Sequence, residues 1–370
     1  MARGVAASAD AVAEVLAPRA NPDLVGHQSA ERELRRLDQA GRLPHAILLS
    51  GPRGIGKATL AFRLARFLLA KSARNSAEPS AAAVEGLAID AQSGVFHRVA
   101  SGGHADLLTV ERAYDPKRRR LRGQIIVDDT REIAGFFRLT AAEEGWRIVI
   151  VDGAEEMNRN AANALLKILE EPPRRSLLLL VSHSPGRLLP TIRSRCRRFS
   201  LAALEPPIVV RLLGKYRPEL EKPEAEAVAE LADGSIGRGI ELAGAGGLAL
   251  YRTMLEILSQ TPRIDVARLH AFIDKLTRPD AEDAYRAVQE LLSQFLARFV
   301  AQAARGQIGG DSAIAGEREV MHRLGVNADP ARCAALREEI DLNFANTDQL
   351  NLDRKQAMLA AFLAIEEMAR

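Results

Sequence analysis

Cysteine, aromatic residues and unbalanced charge are all scarce in this sequence of 370 residues. It has two cysteines, Cys196 and Cys333, one tryptophan and 4 % aromatic residues overall. Two distant cysteines exclude a disulfide scaffold and a four-thiolate zinc site, and they fit a reducing compartment. The 51 basic and 48 acidic side chains leave a net charge of only +3. A nucleic-acid interface must therefore be argued from local clusters and not from overall charge.

Long apolar runs are also missing. Leu177–Val181 and Ile148–Val151 are far shorter than the ~20 residues that a membrane-spanning helix needs. Residues 1–15 contain no apolar core of signal-peptide length. We therefore expect a soluble cytoplasmic protein that does not contact membranes. The length favours two or three domains, each large enough to bury a core.

Short apolar runs alternate with amphipathic segments over the first two hundred residues, which is typical of βαβ units with a mainly parallel sheet. After Glu205 only helical patterns follow. The pattern predicts an α/β domain over 1–205, a small helical domain over 206–247 and a larger helical domain over 248–370. Within the first domain it predicts strands at 46–50, 147–152 and 177–181, helices over 131–139 and 160–171, and a basic helical turn over 190–198. Residues 125–127 are predicted to form a strand or turn, and the acidic residues within 128–130 to lead through an N-cap into the helix over 131–139.

The strongest motif is Gly51-Pro-Arg-Gly-Ile-Gly-Lys57, directly after a predicted strand and directly before a predicted helix. This is the phosphate-loop pattern in the context that it requires. Gly51, Gly54 and Gly56 let backbone N–H groups curl around a phosphate, and the helix N-terminus adds partial positive charge. Lys57 is placed to reach the terminal phosphates. We interpret the loop as a nucleotide cradle.

The residue after this lysine departs from the pattern. Ala58 stands where Ser or Thr normally ligates Mg²⁺ through its hydroxyl, and a methyl group cannot do so. Thr59 lies one residue further on, roughly 100° around the helix, and is a poor geometric substitute. The sequence therefore predicts a nucleotide-binding loop that lacks its own metal ligand.

The predicted strand that ends in Asp152 is the matching acidic element, because its carboxylate is placed to hold the water shell of a metal ion. Nucleotide-hydrolysing proteins of this kind usually carry a water-polarising Glu next, and here the residue is Gly153. Glu155 and Glu156 are displaced, and their simpler interpretation is a favourable interaction with a helix N-terminus. Positions 58 and 153 thus both lack the side chain that catalysis normally uses, which argues against efficient hydrolysis.

Several segments resemble one family. They are Asp152–Asn158, Ala161–Pro173, Ser182–Pro185 and Thr191–Cys196, and over residues 20–245 the chain is similar to clamp-loader AAA+ proteins, in particular the delta-prime subunits of bacterial DNA polymerase III. The triplet Ser194-Arg195-Cys196 is the most specific of these matches. The C-terminal helices match more weakly, mainly through Asn351–Gln356.

The resemblance implies an AAA+ domain, a helical lid and a C-terminal helical collar for oligomerisation. It also implies that Arg195 serves the ATP site of a neighbouring subunit as an arginine finger, an effect worth about 10³–10⁵ in rate in related systems. Without the family resemblance, the simpler interpretation of Arg195 and its basic neighbours is a solvated basic patch. Ser182 falls at the first sensor position and Arg238 at the second, although the turn around Arg238 is also an ordinary helix start. Without partnered His or Asp spacing, Cys196 is expected to be a packing residue.

As a function, the resemblance implies a non-motor subunit of a clamp loader, which assembles with other subunits in a ring and acts through the complex on the sliding clamp and primed DNA. The complex belongs to a DNA-directed DNA polymerase holoenzyme, a nucleotidyltransferase, without polymerase activity in this chain. Such a subunit would bind ATP or ADP poorly or passively, without efficient hydrolysis. Two alternatives remain, an ATP-hydrolysing AAA+ motor and a small-molecule kinase; Ala58 and Gly153 count against the first, and the all-helical domains against the second.

Two further features bear on ligands. Many delta-prime proteins carry a four-cysteine zinc module after the phosphate-loop helix, but residues 70–104 contain no cysteine here, so no zinc is predicted. Lys117–Arg122 is the densest basic run, with five charges in six residues. It has no interleaved aromatic residues for base stacking. Contact with DNA phosphates and a solvated hairpin tip are both open interpretations of this run.

Overall fold

The computed structural model describes residues 17–73, 86–115, 120–139, 145–310, 312, 314–326 and 329–370. They form two compact units. The first contains the described residues up to Ile208 together with Ser235–Gly237, and the second contains Val209–Gly234 and Arg238–Arg370. The finer division into three domains at residues 205 and 247 stays a prediction.

The first unit is an α/β domain. Its strands are β1 (Ala46–Ser50), β2 (Leu107–Val110), β3 (Tyr114–Asp115), β4 (Arg120–Leu121), β5 (Arg147–Asp152), β6 (Ser176–Ser182) and β7 (Arg197–Ser200). Its helices are α1 (Gln28–Gln39), α2 (Lys57–Ala73), α3 (Gly94–Ala100), α4 (Val127–Arg138), α5 (Arg159–Glu170) and α6 (Pro190–Arg193). Five strands form one parallel sheet in the order β2-β5-β6-β1-β7, which confirms the predicted fold class.

Alternation along the central strands gives this sheet two apolar faces. In β1, Ile47 and Leu49 join a core cluster that contains the inner faces of α1, α2 and α3. Ala46 and Leu48 point the other way, into a cluster with α4, α5 and α6. The sheet is therefore covered by helices on both faces, as parallel sheets usually are. Each fully buried Leu or Ile here contributes about 1.5–3 kcal/mol.

Helix α4 begins earlier than the predicted Arg131. It starts at Val127, because the Asp129 carboxylate accepts the main-chain N–H of Ile126 at 2.8 Å and so caps the first turn. The acidic residues that we expected to precede the helix therefore lie within it. The predicted strand or turn at Ile125 is reduced to an isolated bridge to Met157.

The predicted basic turn over Pro190–Arg198 is only half helical. Helix α6 ends at Arg193, and Arg197 begins β7, which pairs in parallel with β1 at the edge of the sheet. Within β7 only Phe199 is buried. The exposed arginines obscure the alternation that would otherwise reveal a strand.

The second unit is helical, and no strand follows Ser200 in the described part of the chain. The helices after β7 are α7 (Pro206–Tyr216), α8 (Lys222–Ala232), α9 (Ile236–Gly244), α10 (Gly247–Leu258), α11 (Val266–Leu276), α12 (Glu282–Arg305), α13 (Glu317–Gly325), α14 (Pro330–Leu350) and α15 (Arg354–Met368). Helix α12 packs against α10 and α14, and α15 packs against α11 and α14. The predicted change to an all-helical region is confirmed.

A buried polar network joins three helices of this unit. Glu317, which is 1 % exposed, accepts hydrogen bonds from the Tyr251 hydroxyl at 2.8 Å and from Arg298 Nη2 at 2.6 Å. Its second oxygen accepts from the Ser312 hydroxyl at 2.6 Å. The carboxylate is thus paired and hydrogen-bonded on both oxygens, which is the condition for burying a charge.

The structure bears on the prediction that the chain does not span a membrane. None of the helices in the described ranges is both long and apolar enough to cross a bilayer.

The predicted basic run lies at a pair of short strands. Strands β3 and β4 pair antiparallel on either side of residues 116–119. Lys117, Arg118 and Arg119 of the basic run lie outside the described residues, so DNA contact at this run stays a prediction.

Candidate functional site

The phosphate-loop motif lies where the sequence predicts it, between the end of β1 and the start of α2. Gly51, Gly54 and Gly56 all have positive φ, at 149°, 74° and 102°. A Cβ atom on Gly51 would lie 2.3 Å from the carbonyl oxygen of Leu201, so the turn admits only glycine there. The three glycines therefore give the loop backbone the conformation that would surround a phosphate.

Lys57 is turned back onto this loop. It is only 3 % exposed, and its Nζ donates to the carbonyl oxygen of Gly51 at 2.8 Å and to that of Pro52. Burial lowers the pKa of Lys57 to about 8, while the charges of Glu155 and Asp152 oppose the shift. Phosphate oxygens would be stronger acceptors than these carbonyls and would restore the full charge of the ammonium group.

Parallel register brings three strand ends together beside the loop. Ser50 at the end of β1 is paired with Ser182 at the end of β6, and Asp152 at the end of β5 is paired with Val181. Ser182 is fully buried. Burial raises the pKa of Asp152 to about 6, helped by the charge of Glu111 and opposed by Lys57. The predicted residues Lys57, Asp152 and Ser182 thus share the carboxyl edge of the sheet.

Glu155 connects the ends of β5 and β6. Its Oε1 accepts the main-chain N–H of His183 at 2.8 Å and that of Ser184 at 3.2 Å. Burial by itself would raise the pKa of Glu155, but hydrogen bonds from its own backbone and from the main-chain N–H of His183 lower it. One carboxylate oxygen is therefore committed to holding the segment that carries Ser182. This role differs from the helix-dipole interpretation that the sequence favours.

The residue after Asp152 is glycine and not glutamate, and the backbone conformation there favours glycine. Gly153 has φ of 75°, in the left-handed region, and a Cβ atom there would lie 2.6 Å from Oε2 of Glu156. Glu156 is paired with Arg112 at 2.8 Å. A glutamate at position 153 would meet a backbone strain of about 1–2 kcal/mol and would displace this ion pair.

The first turn of α2 follows the loop directly and contains Ala58 and Thr59. Ala58 presents only a methyl group, and Thr59 is buried, with 8 % exposure. The structure therefore contains the loop, the lysine and the acidic strand end, and its sequence lacks the usual hydroxyl after Lys57. Whether Thr59 contributes to nucleotide binding stays a prediction.

Two contacts around the loop were not evident from the sequence. His27 Nε2 donates to the Ile55 carbonyl oxygen at 2.7 Å, and burial lowers the pKa of His27, which favours the neutral donor. Gly237, which belongs to the first unit, donates its N–H to the Gly54 carbonyl oxygen at 3.0 Å. Both contacts hold the loop through segments that are distant in the sequence, so no local pattern predicts them.

Arg195 lies on the surface between α6 and β7. Its Nη1 donates to the Thr191 carbonyl oxygen at 3.1 Å, and its Nη2 donates to Glu170 Oε1 at 2.9 Å. The neighbouring Cys196 is half-buried, and burial raises the pKa of its thiol to about 12. Cys196 therefore holds its proton at neutral pH, in keeping with a packing role and not with nucleophilic catalysis.

Arg238 belongs to the second unit. Its Nε lies 3.9 Å from Glu290 of α12, and its side chain is 17 % exposed. Burial lowers its pKa, and the charge of Glu290 opposes the shift. The second-sensor role of Arg238 stays a prediction.

A metal centre is not formed by side chains of the described ranges, where no three His, Cys, Asp or Glu residues gather as ligands. Residues 74–85, inside the segment in which a zinc module would be inserted, lie outside those ranges. The expectation that the chain binds no zinc stays a prediction. Any Mg²⁺ at the loop would rely on Asp152 and on the nucleotide's own phosphates.

Comparison with known proteins connects this geometry with a family. Residues 26–205, which contain the loop, Asp152, Ser182 and Arg195, match the family described as DNA polymerase III, delta subunit. This part of the chain is similar to that family. The resemblance to clamp-loader proteins that the sequence motifs carry is confirmed.

Relatives within DNA polymerase III extend the similarity. Subunit delta' of Pseudomonas aeruginosa is 43 % identical over 152 residues, which cover 41 % of this chain and 41 % of that protein. Subunit gamma/tau of Mycobacterium bovis is 29 % identical over 282 residues, which cover 74 % of this chain and 46 % of that protein. The chain thus spans less than half the length of these curated relatives.

One of the solved structures matched is the DNA polymerase III gamma subunit-related protein of Thermotoga maritima. The match covers 91 % of this chain and 99 % of that structure, with 19 % sequence identity and a TM-score of 0.40. A likeness at that level says nothing about function.

Proposed function

We propose that this chain is a non-motor subunit of a DNA polymerase III clamp loader, which binds nucleotide without hydrolysing it efficiently and lends Arg195 to the ATP site of a neighbouring subunit. The observation that carries the proposal is the left-handed backbone at Gly153. This conformation favours glycine over the water-polarising glutamate by about 1–2 kcal/mol. Ala58 and the commitment of Glu155 to the backbone of His183 and Ser184 support the same conclusion.

In this proposal the phosphate loop has a structural role. Lys57 is held in readiness by loop carbonyls, and phosphates of ATP or ADP take their place. Asp152 and Ser182 lie at the adjacent strand ends, and Thr59 and Arg238 complete the predicted set. Bound nucleotide would stabilise the first unit by mass action, without turnover.

Arg195 serves the partner and not this loop. It is at the surface, and its guanidinium can offer several N–H donors to phosphate oxygens in a fixed planar fork. A charge supplied in this way stabilises the negative charge that develops on the transferred phosphoryl group. The helices after residue 248 would hold the subunit in a hetero-oligomeric ring in the cytoplasm, and the ring would act on the sliding clamp and primed DNA.

The first test is nucleotide turnover by the isolated chain. We expect ADP binding that is lost in Lys57→Ala, and steady-state ATP hydrolysis no greater than that of the Lys57→Ala variant. Robust turnover that Lys57→Ala abolishes would favour the alternative function, an AAA+ motor. Lys71→Ala in the same helix is the matched control, since Lys71 pairs with Asp38 at 3.0 Å and is distant from the loop in sequence.

A further inference from the structure

Glu170 contacts Arg195 from a position in its helix where a negative charge is unfavourable. It is the last residue of α5, and a negative side chain at a helix C-terminus is repelled by the helix dipole. Its Oε1 nevertheless accepts from Arg195 Nη2 at 2.9 Å. A residue that violates a local preference and is matched by one specific partner points to a role in positioning that partner.

The contact fixes the plane of the Arg195 guanidinium. Nη1 is held by the Thr191 carbonyl oxygen, one turn back in the chain, and Nη2 is held by Glu170 from another helix. Because the guanidinium is rigid and planar, two anchors on two different nitrogens define its orientation. The remaining N–H groups of the fork then face a direction set by the protein before a phosphate arrives.

The charge of the segment makes such an anchor useful. Arg193, Arg197 and Arg198 are exposed and lie within three residues of Arg195 in sequence, so this short segment carries four positive charges. A long, half-exposed arginine in such a setting would sample many rotamers, and ordering it on binding would weaken its interaction with phosphate. Glu170 supplies both an opposing charge and a fixed acceptor.

We propose that Glu170 is a positioning residue for Arg195, which pre-orients the guanidinium toward the phosphates of a nucleotide bound by the neighbouring subunit. The inference rests on the proposed function, because it presupposes that Arg195 acts in trans. Both side chains are substantially exposed, Arg195 at 37 % and Glu170 at 53 %, so the contribution is modest.

The experiment uses the full chain assembled with the gamma/tau ATPase subunit and the remaining clamp-loader subunits of the same organism. Glu170→Ala is expected to lower the kcat of Arg195-dependent ATP hydrolysis by about two- to five-fold, the size of an exposed ion pair. KM should stay unchanged, because the interaction acts in the transition state. Glu170→Gln, which keeps an acceptor oxygen, should lose less.

Glu171→Ala is the matched control. Glu171 is the next residue, equally acidic and exposed, while the ion pair with Arg195 is made by Glu170. Its variant should match the wild type. The ratio of wild-type to Glu170→Ala activity should also shrink as salt rises from about 50 to about 300 mM, because exposed pairs are screened.

A double-mutant cycle separates the two claims. If Glu170 acts through Arg195, Glu170→Ala should have no further effect in an Arg195→Ala background. A loss of the same size in that background, or unchanged or raised activity of Glu170→Ala alone, would overturn the positioning role. If Arg195→Ala itself leaves the turnover of the complex unchanged, the proposed function fails instead. Size-exclusion profiles and melting temperatures of all variants establish that assembly and folding are intact.

Discussion

The carboxylate of Glu156 occupies the space into which a side chain at Gly153 would grow: its Oε2 lies 2.6 Å from the position of a Cβ atom on Gly153. Together with the φ of 75° at Gly153, this arrangement makes an exchange of Gly153 for glutamate cost about 1–2 kcal/mol of backbone strain and requires Glu156 to move. The backbone after β5 therefore favours glycine at the position of the water-polarising glutamate, in line with the inefficient hydrolysis that we propose. Replacing Ala58 alone should not reverse it.

Ala58→Thr is expected to separate metal binding from turnover. The added hydroxyl supplies one oxygen ligand, so nucleotide affinity in Mg²⁺ relative to EDTA should rise on the order of tenfold, or about 1.4 kcal/mol. ATP turnover by the isolated variant should remain at background. Titration with a fluorescent ADP analogue and a steady-state assay measure the two effects. Ala58→Val has the same shape without the hydroxyl, and an equal gain in that variant would refute the metal-ligand explanation.

The lowered pKa of Lys57 predicts a pH-dependent affinity for nucleotide. Below its pKa of about 8 the ammonium is charged before phosphate binds. Above it, binding must first add a proton, so Kd should rise by up to about tenfold per pH unit between pH 8 and 9.5. Isothermal titration across that range measures Kd and the proton uptake. Lys71→Met should keep this profile and Lys57→Met should flatten it; a wild-type Kd that is constant up to pH 9.5 would contradict the prediction.

Glu155→Ala should destabilise the first unit. Removing the acceptor of the His183 and Ser184 N–H groups costs about 1–3 kcal/mol, and Glu155→Gln should cost less because an oxygen remains. The pKa of Glu155 is lowered in the folded state, so its contribution is present above the unfolded pKa and is lost as pH falls through the folded value. Urea unfolding at pH 7 and pH 4 should therefore show a larger deficit of Glu155→Gln at pH 7.

Glu156→Gln is the control for that series. Glu156 is partly exposed and pairs with Arg112, so its loss should cost less than about 1 kcal/mol. Equal destabilisation by Glu155→Gln and Glu156→Gln at pH 7 would mean that the connection between the ends of β5 and β6 has no special energetic role.

Glu317→Ala is expected to be the most destabilising of the proposed substitutions. It leaves Arg298 without its carboxylate partner at 2.6 Å and removes the acceptor of the Tyr251 hydroxyl, at a cost of about 3–5 kcal/mol. Thermal unfolding should show a lowered midpoint for the helical unit. Glu319→Ala in the same helix is exposed and should change the midpoint little. Similar effects of the two variants would refute the account of the buried network.

The parts of the fold that could be predicted from sequence are those that local pattern determines. The run of apolar residues before Gly51, the phosphate loop and the strand that ends in Asp152 all lie as predicted. Strands β2 and β7 could not be predicted, because both are short edge strands and in β7 the exposed Arg197 and Arg198 leave only Phe199 as a signal.

The site was predictable only as far as motifs reach. Lys57 and Asp152 were found because a glycine pattern and a strand end identify them, and Ser182 was found through the family resemblance. The contacts of Glu155 with His183 and of His27 with Ile55 join residues 28 positions apart, and the pairing of Glu170 with Arg195 spans 25 positions. Such contacts depend on the register of the sheet and on helix packing, which a single sequence does not encode locally.

The central claim is that this chain supplies Arg195 to the ATP site of a neighbouring subunit and does not itself hydrolyse ATP efficiently. The most direct measurement is ATP turnover by the reconstituted clamp loader that contains wild type, Arg195→Ala or the matched control Arg193→Ala, which removes an exposed arginine two residues away. The account predicts that Arg195→Ala lowers turnover at the site it serves by about 10³-fold or more while Arg193→Ala does not. Full activity of the Arg195→Ala complex, with assembly intact, would contradict it.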